Sequence, residues 1–381
     1  MAELRARDLG IPFDGESGAW NAITDVPGLE VGATTLIEDL DDGAAVRTGV
    51  TAILPRGRDR AGSACAAGIA VLNGNGELTG RSWIEEAGQL QAPIALTNSH
   101  AVGAVHTGID RWMAKHHPVT AAAWMLPVVG ETWDGYLNSI NADTVRPEHA
   151  EAALDAARSG PVAEGSTGGG TGMNCYGFKG GTGTASRLVR YGDGEADHWT
   201  VGVLLQANFG SRSELRVAGR PLGRDSQAPC PMTDGWFGRE LEELRGAGEY
   251  RAGAGSVIAV VATDAPLLPD QCRALARRVP LGLARTGTTG SHFSGDIFLA
   301  FSTANEGGLR SRMGEAPGAV DTLSHVAWGA IDPLYAAVVE ATEEAVLNAL
   351  VAARDMVGRN GHASYALPHE EVRSAFGARG V

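Results

Sequence analysis

The chain has 381 residues, of which 44% are hydrophobic and 20% are charged, and this balance excludes long disordered stretches. Its formal net charge of −14 argues against nucleic acid or an anionic membrane surface as the main partner. No apolar run is long enough for a membrane helix, and the charged N-terminus does not resemble a signal peptide. We therefore expect a cytoplasmic protein whose four cysteines are reduced.

Short apolar runs bounded by turn residues predict strands along the chain. These strands fall within residues 23–36, 48–55, 66–80, 92–103, 126–138, 199–212, 257–263 and 295–305. Helices are predicted at residues 83–90, 147–160, 267–278 and 332–358. The last of these is one long helix or a pair, and residues 220–255 are interpreted as a linker or flap. Because strands and helices mix without strict alternation, the pattern favours a layered α+β fold.

A glycine-rich segment, "EGSTGGGTGMNCYGFKGGTGTASR", occupies residues 164–187. It is not a phosphate-binding loop, because Phe178 stands where that motif requires lysine and Lys179 comes one position late. The dinucleotide fingerprint fails as well. We interpret the segment as a tightly turned loop that packs against other backbone. Lys179 is then either a buried charge partner or a solvated loop lysine.

The sequence offers no motif for a metal centre or a cofactor, and we expect neither. The zinc-protease pattern that begins at His369 ends in Arg373 instead of histidine. The nucleophile elbow G-x-S-x-G is also absent. A catalytic serine in this chain would therefore need its base from another source.

Ser256 lies where a polar, glycine-containing stretch meets the apolar run of residues 257–262. Taken alone, this segment is most simply a small polar residue at a strand edge. The alternative is that the chain is cut between Gly255 and Ser256, which makes Ser256 a new N-terminus. Gly253 and Gly255 would give the backbone freedom that such a cleavage requires.

Six segments, found in one order between about residues 20 and 360, carry a family resemblance. They are "NGNGELTG", "ETWDGYLN", "GTGMNCYGFKGGTGTASR", "LLQANFG", "GAGSVIAVVATDAPL" and "GSHFSGDIFLAFSTAN". Together they resemble the DmpA-like, or P1, family of peptidases, which comprises L-aminopeptidase/D-Ala-esterase/amidases and β-peptidyl aminopeptidases. The resemblance implies an αββα sandwich similar to that of N-terminal-nucleophile hydrolases, with different connectivity.

The resemblance also implies how the chain matures. A single domain spanning residues 1–381 would cleave itself into a large subunit, 1–255, and a small subunit, 256–381. Ser256 would become the nucleophile, with its own α-amine as the base, since the ordinary pKa of an α-amine, about 7.7–8.0, leaves part of it neutral near pH 7. The resemblance further implies a homo-oligomer, a tetramer of processed heterodimers.

The motifs that match the family also imply roles for the other residues of the site. Ser294 and Asp296 would hydrogen-bond around Ser256, with aspartate here in place of the glutamate of β-peptidyl members. Asn208 would donate to the oxyanion of the tetrahedral intermediate. Each of these three also has an ordinary interpretation as a turn or strand-cap residue.

The segment "ETWDGYLN" supplies the expected substrate-binding groups. Glu131 would bind the free ammonium of the substrate through a charge-assisted hydrogen bond. Tyr136 would hydrogen-bond to the acyl-enzyme or its oxyanion, and Trp133 would line the pocket. Glu131 and Tyr136 also have ordinary interpretations, as a surface carboxylate and a core tyrosine.

The sequence therefore predicts a self-processing serine aminopeptidase that forms an acyl-Ser256 intermediate. It would act on short peptides, amides or esters with a free N-terminal amine. One alternative is a non-peptidase amidase or acyl transferase that uses the same machinery. The other is an unprocessed, non-enzymatic binding protein.

Overall fold

Two β-sheets with helices on their outer faces make up the structure, a computed structural model that describes residues 4–192, 198–245, 255–311 and 316–376. The strands are β1 (Glu30–Asp39), β2 (Ala45–Leu54), β3 (Cys65–Gly74), β4 (Gln89–Leu90), β5 (Ile94–Asn98), β6 (Val128–Thr132), β7 (Asn174–Cys175), β8 (Phe178–Lys179), β9 (Gly181–Arg190), β10 (His198–Asn208), β11 (Ser256–Thr263), β12 (Gly295–Ser302), β13 (Met356–Val357) and β14 (Ala363–Ser364). The α-helices are α1 (Arg81–Ala87), α2 (Val102–His116), α3 (Pro118–Ala123), α4 (Pro147–Asp155), α5 (Leu222–Asp225), α6 (Trp236–Arg245), α7 (Pro269–Ala276), α8 (Val279–Arg285), α9 (Asp332–Ala352) and α10 (His369–Phe376). Within these described ranges, no helix is long and apolar enough to cross a membrane. Gly253, for which backbone freedom was expected, lies outside the described residues.

The larger sheet has six strands in the order β4-β3-β12-β11-β10-β9. Its neighbours are antiparallel except for β11 and β12, which run parallel at the centre. The smaller sheet has the order β1-β2-β5-β6, with only β5 and β6 parallel. Both sheets are therefore mixed, with the parallel pair joined through helices that cover the outer faces.

Strand β11 shows why the layers stack, because successive strand residues point to opposite faces. Val257 and Val261 pack into the core that the larger sheet shares with α7, α8 and α9. Ile258 and Val260 pack into the core between the two sheets. A third core joins the smaller sheet to α2 and α4. The layers therefore run helix, sheet, sheet, helix, and the predicted αββα sandwich is confirmed.

Four elements or segments differ from the sequence expectations. Residues 181–187, expected to be loop, begin strand β9, whose glycines let helix α9 approach: a Cβ on Gly183 would lie 2.0 Å from the carbonyl oxygen of Ala345. Helix α2 was not predicted. The helix or helix pair predicted at residues 332–358 is a single helix, α9, which ends at Ala352. The expected linker at 220–255 contains the helices α5 and α6.

A buried ion-pair network ties helix α9 to the N-terminal segment and to β9. The carboxylate of Glu344, fully buried, accepts hydrogen bonds from Arg7 at 2.7 and 2.8 Å and from Asn21 at 2.6 Å, and Arg187 lies 2.8 Å from its Oε2. Burial raises the pKa of Glu344, but the hydrogen bonds and charges of Arg7 and Arg187 outweigh burial, so that the pKa is below its ordinary value. Glu344 is therefore ionised in the folded protein.

Substituting Glu344→Gln should lower the free energy of unfolding by about 3 kcal/mol at neutral pH. The reason is that buried Arg187 then keeps only the partly exposed carboxylate of Glu340, which lies 3.4 Å from its Nε. Since the folded-state pKa is lowered, the stabilisation is present above the ordinary pKa and is lost as the pH falls through the lowered pKa. Urea denaturation at neutral and acidic pH measures both effects. The matched control is Glu343→Gln, whose pair with Arg285 is partly exposed and should change stability by less than about 1 kcal/mol. Equal losses for the two variants would contradict the assignment.

Candidate active site

A cleft of about 1020 Å³ opens at one edge of the larger sheet. Strand β10 ends there, and β11 and β12 begin there, so that Asn208, Ser256 and Gly295 are register partners on three adjacent strands. The cleft is the place where the structure brings together every residue that the sequence nominated, namely Tyr136, Glu131, Trp133, Asn208, Gly255, Ser256, Ser294 and Asp296. Strand pairing in the larger sheet brings Asn208, Ser256 and Gly295 together, and packing of the two sheets adds Glu131 of β6 and the residues that follow it.

Ser256 is the first residue of β11, and its hydroxyl oxygen accepts a hydrogen bond of 3.2 Å from the backbone N–H of Gly295. The backbone just before it packs directly on the end of β10. A Cβ on Gly255 would lie 2.2 Å from the carbonyl oxygen of Asn208 and 2.3 Å from the Cα of Phe209. Only glycine fits at position 255, and the peptide bond before Ser256 is held against the cleft.

Asp296 is fixed through both of its carboxyl oxygens. Ser294 donates a hydrogen bond of 2.5 Å to Oδ1, and Asn73 donates one of 2.8 Å to Oδ2. The aspartate therefore contacts Ser294 directly, despite being shorter than glutamate. Burial raises the pKa of Asp296, and the two hydrogen bonds only partly oppose it. A carboxyl group with a raised pKa beside a serine hydroxyl is suited to taking and returning a proton.

The side-chain amide of Asn208 is held at both ends. Its Oδ1 accepts a hydrogen bond of 2.9 Å from the backbone N–H of Asn174, and its Nδ2 donates one of 2.8 Å to the carbonyl oxygen of Trp133. A side-chain amide nitrogen carries two hydrogens. The second hydrogen remains for a group in the cleft, next to Ser256 on the neighbouring strand.

Glu131 presents a largely buried carboxylate to the cleft. Its Oε1 accepts a hydrogen bond of 2.8 Å from the backbone N–H of Glu77, and its Oε2 accepts a short one from the hydroxyl of Ser99. Among the described side chains, none forms an ion pair with Glu131. A buried carboxylate held by neutral donors is suited to binding a cation that enters from solvent.

Aromatic side chains form another wall of the cleft. Trp133 stacks on Trp236 of α6 with 6.2 Å between the ring centroids, and Tyr136 contacts the same indole at 5.0 Å. The hydroxyl of Tyr136 donates to the carbonyl oxygen of Ala363 at 3.1 Å, and burial raises its pKa to about 12. Tyr136 therefore stays protonated at neutral pH, and its single hydroxyl hydrogen is held by the carbonyl oxygen of Ala363.

Sequence reasoning missed Asn73, Ser99 and Trp236. Asn73 is the first residue of the motif "NGNGELTG", but nothing local connects it with Asp296. Trp236 lies in the segment interpreted as a linker from its polar and turn-forming residues. The amphipathic pattern of helix α6 is the signal that this interpretation overlooked. The contacts of all three are with residues distant in sequence.

The fold has the architecture of an N-terminal-nucleophile hydrolase. Comparison with known proteins identifies the family. The profile of peptidase family S58 matches residues 21–364. The chain belongs to this family, and it is an aminopeptidase. The β-peptidyl aminopeptidases BapA of Sphingosinicella microcystinivorans and Sphingosinicella xenopeptidilytica are 47% and 44% identical to it. These alignments cover 97% and 100% of this chain and 91% and 92% of the relatives.

Solved structures agree with this assignment. A β-aminopeptidase from a Burkholderia species superposes with a TM-score of 0.86 at 45% identity and covers 99% of both chains. The L-aminopeptidase D-Ala-esterase/amidase from Ochrobactrum anthropi also superposes with a TM-score of 0.86, at 42% identity, over 98% of this chain and 99% of that one. That enzyme is described as a prototype for the serine aminopeptidases and as a new variant of the Ntn hydrolase fold.

Substituting Asn73→Ala should move the acidic limb of the pH–activity profile to higher pH by about one unit. The reason is that the amide of Asn73 stabilises the ionised form of Asp296, and its loss raises the pKa of that carboxyl further. Aminopeptidase activity measured against pH tests the prediction. Asn75→Ala is the matched control, since Asn75 donates only to the carbonyl oxygen of Phe293. An unshifted limb in Asn73→Ala would show that ionisation of Asp296 does not limit activity.

Proposed function

We propose that the chain is a self-processing serine aminopeptidase in which Ser256 is first the cleavage residue and then the N-terminal nucleophile. The observation that carries the proposal is the position of Ser256, which starts a central strand beside Asn208 and Gly295 and faces the same cleft as the carboxylate of Glu131. The family membership and the close packing at Gly255 support it.

Self-cleavage begins with attack of the Ser256 Oγ on the carbonyl carbon of Gly255. The Oγ–C bond forms, the C–N bond between the two residues breaks, and the hydroxyl proton passes to the departing nitrogen, which becomes the α-amine of Ser256. Water then hydrolyses the ester, giving a carboxylate on Gly255 and restoring the hydroxyl of Ser256. The pair of Ser294 and Asp296 is the adjacent group able to accept and return the proton, since no free α-amine exists before this step.

In turnover, the new α-amine accepts the hydroxyl proton as Oγ attacks the carbonyl carbon of the substrate. The second N–H of Asn208 donates to the oxyanion of the tetrahedral intermediate, an interaction worth about 3 kcal/mol in related chemistry. The proton passes to the leaving amine or alcohol as the acyl-Ser256 ester forms. Water hydrolyses this ester, and the N-terminal residue leaves. Tyr136 lines the same cleft, and its hydroxyl would hydrogen-bond to the acyl group after releasing the carbonyl oxygen of Ala363.

The substrate is a short peptide, amide or ester with a free N-terminal amine. Its ammonium binds the carboxylate of Glu131, which otherwise accepts hydrogen bonds from neutral donors. Trp133 contributes to the wall of the cleft beside Glu131. We also propose that processed pairs assemble into a homo-oligomer, a tetramer, as the resemblance to the family implies.

Denatured intact mass tests the nucleophile. The wild-type protein should give two fragments, residues 1–255 and 256–381, whereas Ser256→Ala should give one full-length, folded and inactive chain. Ser211→Ala, which removes another hydroxyl that lines the cleft, should process and turn over normally. A processed Ser256→Ala, or a wild-type protein that remains one active chain, would refute the assignment.

Glu131→Gln should raise KM for free-amine substrates by about 10- to 100-fold, because it removes the charge that binds the ammonium. Self-cleavage should persist, since that reaction involves no substrate amine. Steady-state kinetics and intact mass measure the two properties. Glu77→Gln is the control, because only the backbone N–H of Glu77 contacts Glu131. Unchanged kinetics in Glu131→Gln would remove Glu131 from the amine site.

A further inference from the structure

Lys179, within the glycine-rich segment, is fully buried and pairs across β7 and β8 with Asn174, which lines the cleft. Its Nζ donates hydrogen bonds to the carbonyl oxygens of Met173 at 2.8 Å, Gly180 at 2.9 Å and Gly170 at 3.4 Å. An ammonium group has three hydrogens, whereas a neutral amine has two. Three carbonyl acceptors therefore match the charged form of Lys179, and the glycine-rich segment folds around that charge.

Asp134, in the loop after β6, is also fully buried, and its Oδ1 accepts a hydrogen bond of 3.0 Å from Asn138. Its carboxyl group lies beyond ion-pair distance of the Lys179 ammonium. Burial raises the pKa of Asp134 and lowers the pKa of Lys179, and the charge of each group opposes the shift of the other. The two side chains thus support each other's ionised forms in a site that is closed to solvent.

These two residues adjoin the two groups that hold the amide of Asn208. Met173, whose carbonyl oxygen binds the ammonium of Lys179, directly precedes Asn174, the N–H of which donates to Asn208 Oδ1. Asp134 directly follows Trp133, the carbonyl oxygen of which accepts from Asn208 Nδ2. Strand pairing between β7 and β8 also places Asn174 opposite Lys179.

We propose that Lys179 and Asp134 are positioning residues, two buried ionisable groups that set the orientation of the Asn208 amide towards the oxyanion. Lys179 holds the backbone that presents the Asn174 N–H, and Asp134 anchors the backbone that presents the Trp133 carbonyl. The pair touches neither substrate nor reacting atoms and acts only through Asn208. The inference rests on the proposed role of Asn208 as oxyanion donor.

A double-mutant cycle between Lys179 and Asn208 tests the proposal. Lys179→Met keeps the length of the side chain and removes its charge and its donors. It should lower kcat by about 10- to 100-fold with KM little changed, because the ammonium site at Glu131 is untouched. In the Asn208→Ala background, the same substitution should produce no further fall in kcat. Lys115→Met, on the exposed surface of α2, is the control and should leave kcat unchanged.

Loss of Lys179 also leaves Asp134 without its counter-charge, which can impair folding. The cycle is therefore repeated with Lys179→Met combined with Asp134→Asn, a pair of substitutions that removes both buried charges together. This variant should recover thermal stability without recovering kcat. If a variant matures too slowly for steady-state kinetics, the same double-mutant cycle is applied to its rate of self-cleavage, measured by intact mass.

The possible outcomes distinguish the positioning role of Lys179 and Asp134 from the oxyanion role of Asn208. A fall in kcat of the same size in the wild-type and Asn208→Ala backgrounds would overturn the positioning role and leave the role of Asn208 intact. Wild-type kcat in Lys179→Met, or recovery of kcat together with stability in the doubly neutral variant, would also overturn it. Wild-type kcat in Asn208→Ala itself would refute the oxyanion assignment, and with it the inference built on that assignment.

Discussion

The pairing of three strand ends is the constraint on which the active site depends. Asn208 closes β10, Ser256 opens β11 and Gly295 opens β12, and backbone hydrogen bonding holds them side by side. Because β10 is antiparallel to β11 while β12 is parallel to it, one end and two beginnings meet at the same sheet edge. A shift of one residue in β11 would turn Ser256 to the other face of the sheet.

Close approach of backbone to backbone supports this edge, and it explains much of the glycine content. Gly255 lies against the end of β10, and Gly295 lies against Asn75, whose carbonyl oxygen would be 2.4 Å from a Cβ at position 295. Gly183, on the outermost strand β9, admits helix α9 to the outer face of the same sheet. These glycines are required by space, because any side chain would separate the elements that the site needs in contact.

Buried charges in this protein differ in function according to their partners. Glu344 is surrounded by arginine and amide donors, which keep it ionised and make it part of the framework. Glu131 has only neutral donors, and this leaves its charge available to a ligand. Asp296 is held by a serine and an amide, with its pKa raised by burial, which suits proton transfer. The same carboxyl group thus serves structure, binding or proton transfer.

The sequence by itself determined the strand-rich α+β class, most of the strands, and, through six ordered segments, the family and the candidate residues of the cleft. Those signals are local, because apolar runs, turn residues and short motifs can be recognised in the sequence without knowledge of the tertiary contacts. Only the tertiary structure decided that Asn73 binds Asp296 across 223 positions and Ser99 binds Glu131 across 32. It also decided that Lys179 is buried and that α6 carries a wall of the cleft. Such contacts arise from sheet register and from packing of the layers. They join residues that are far apart in the chain, and the local sequence around one residue does not indicate the other.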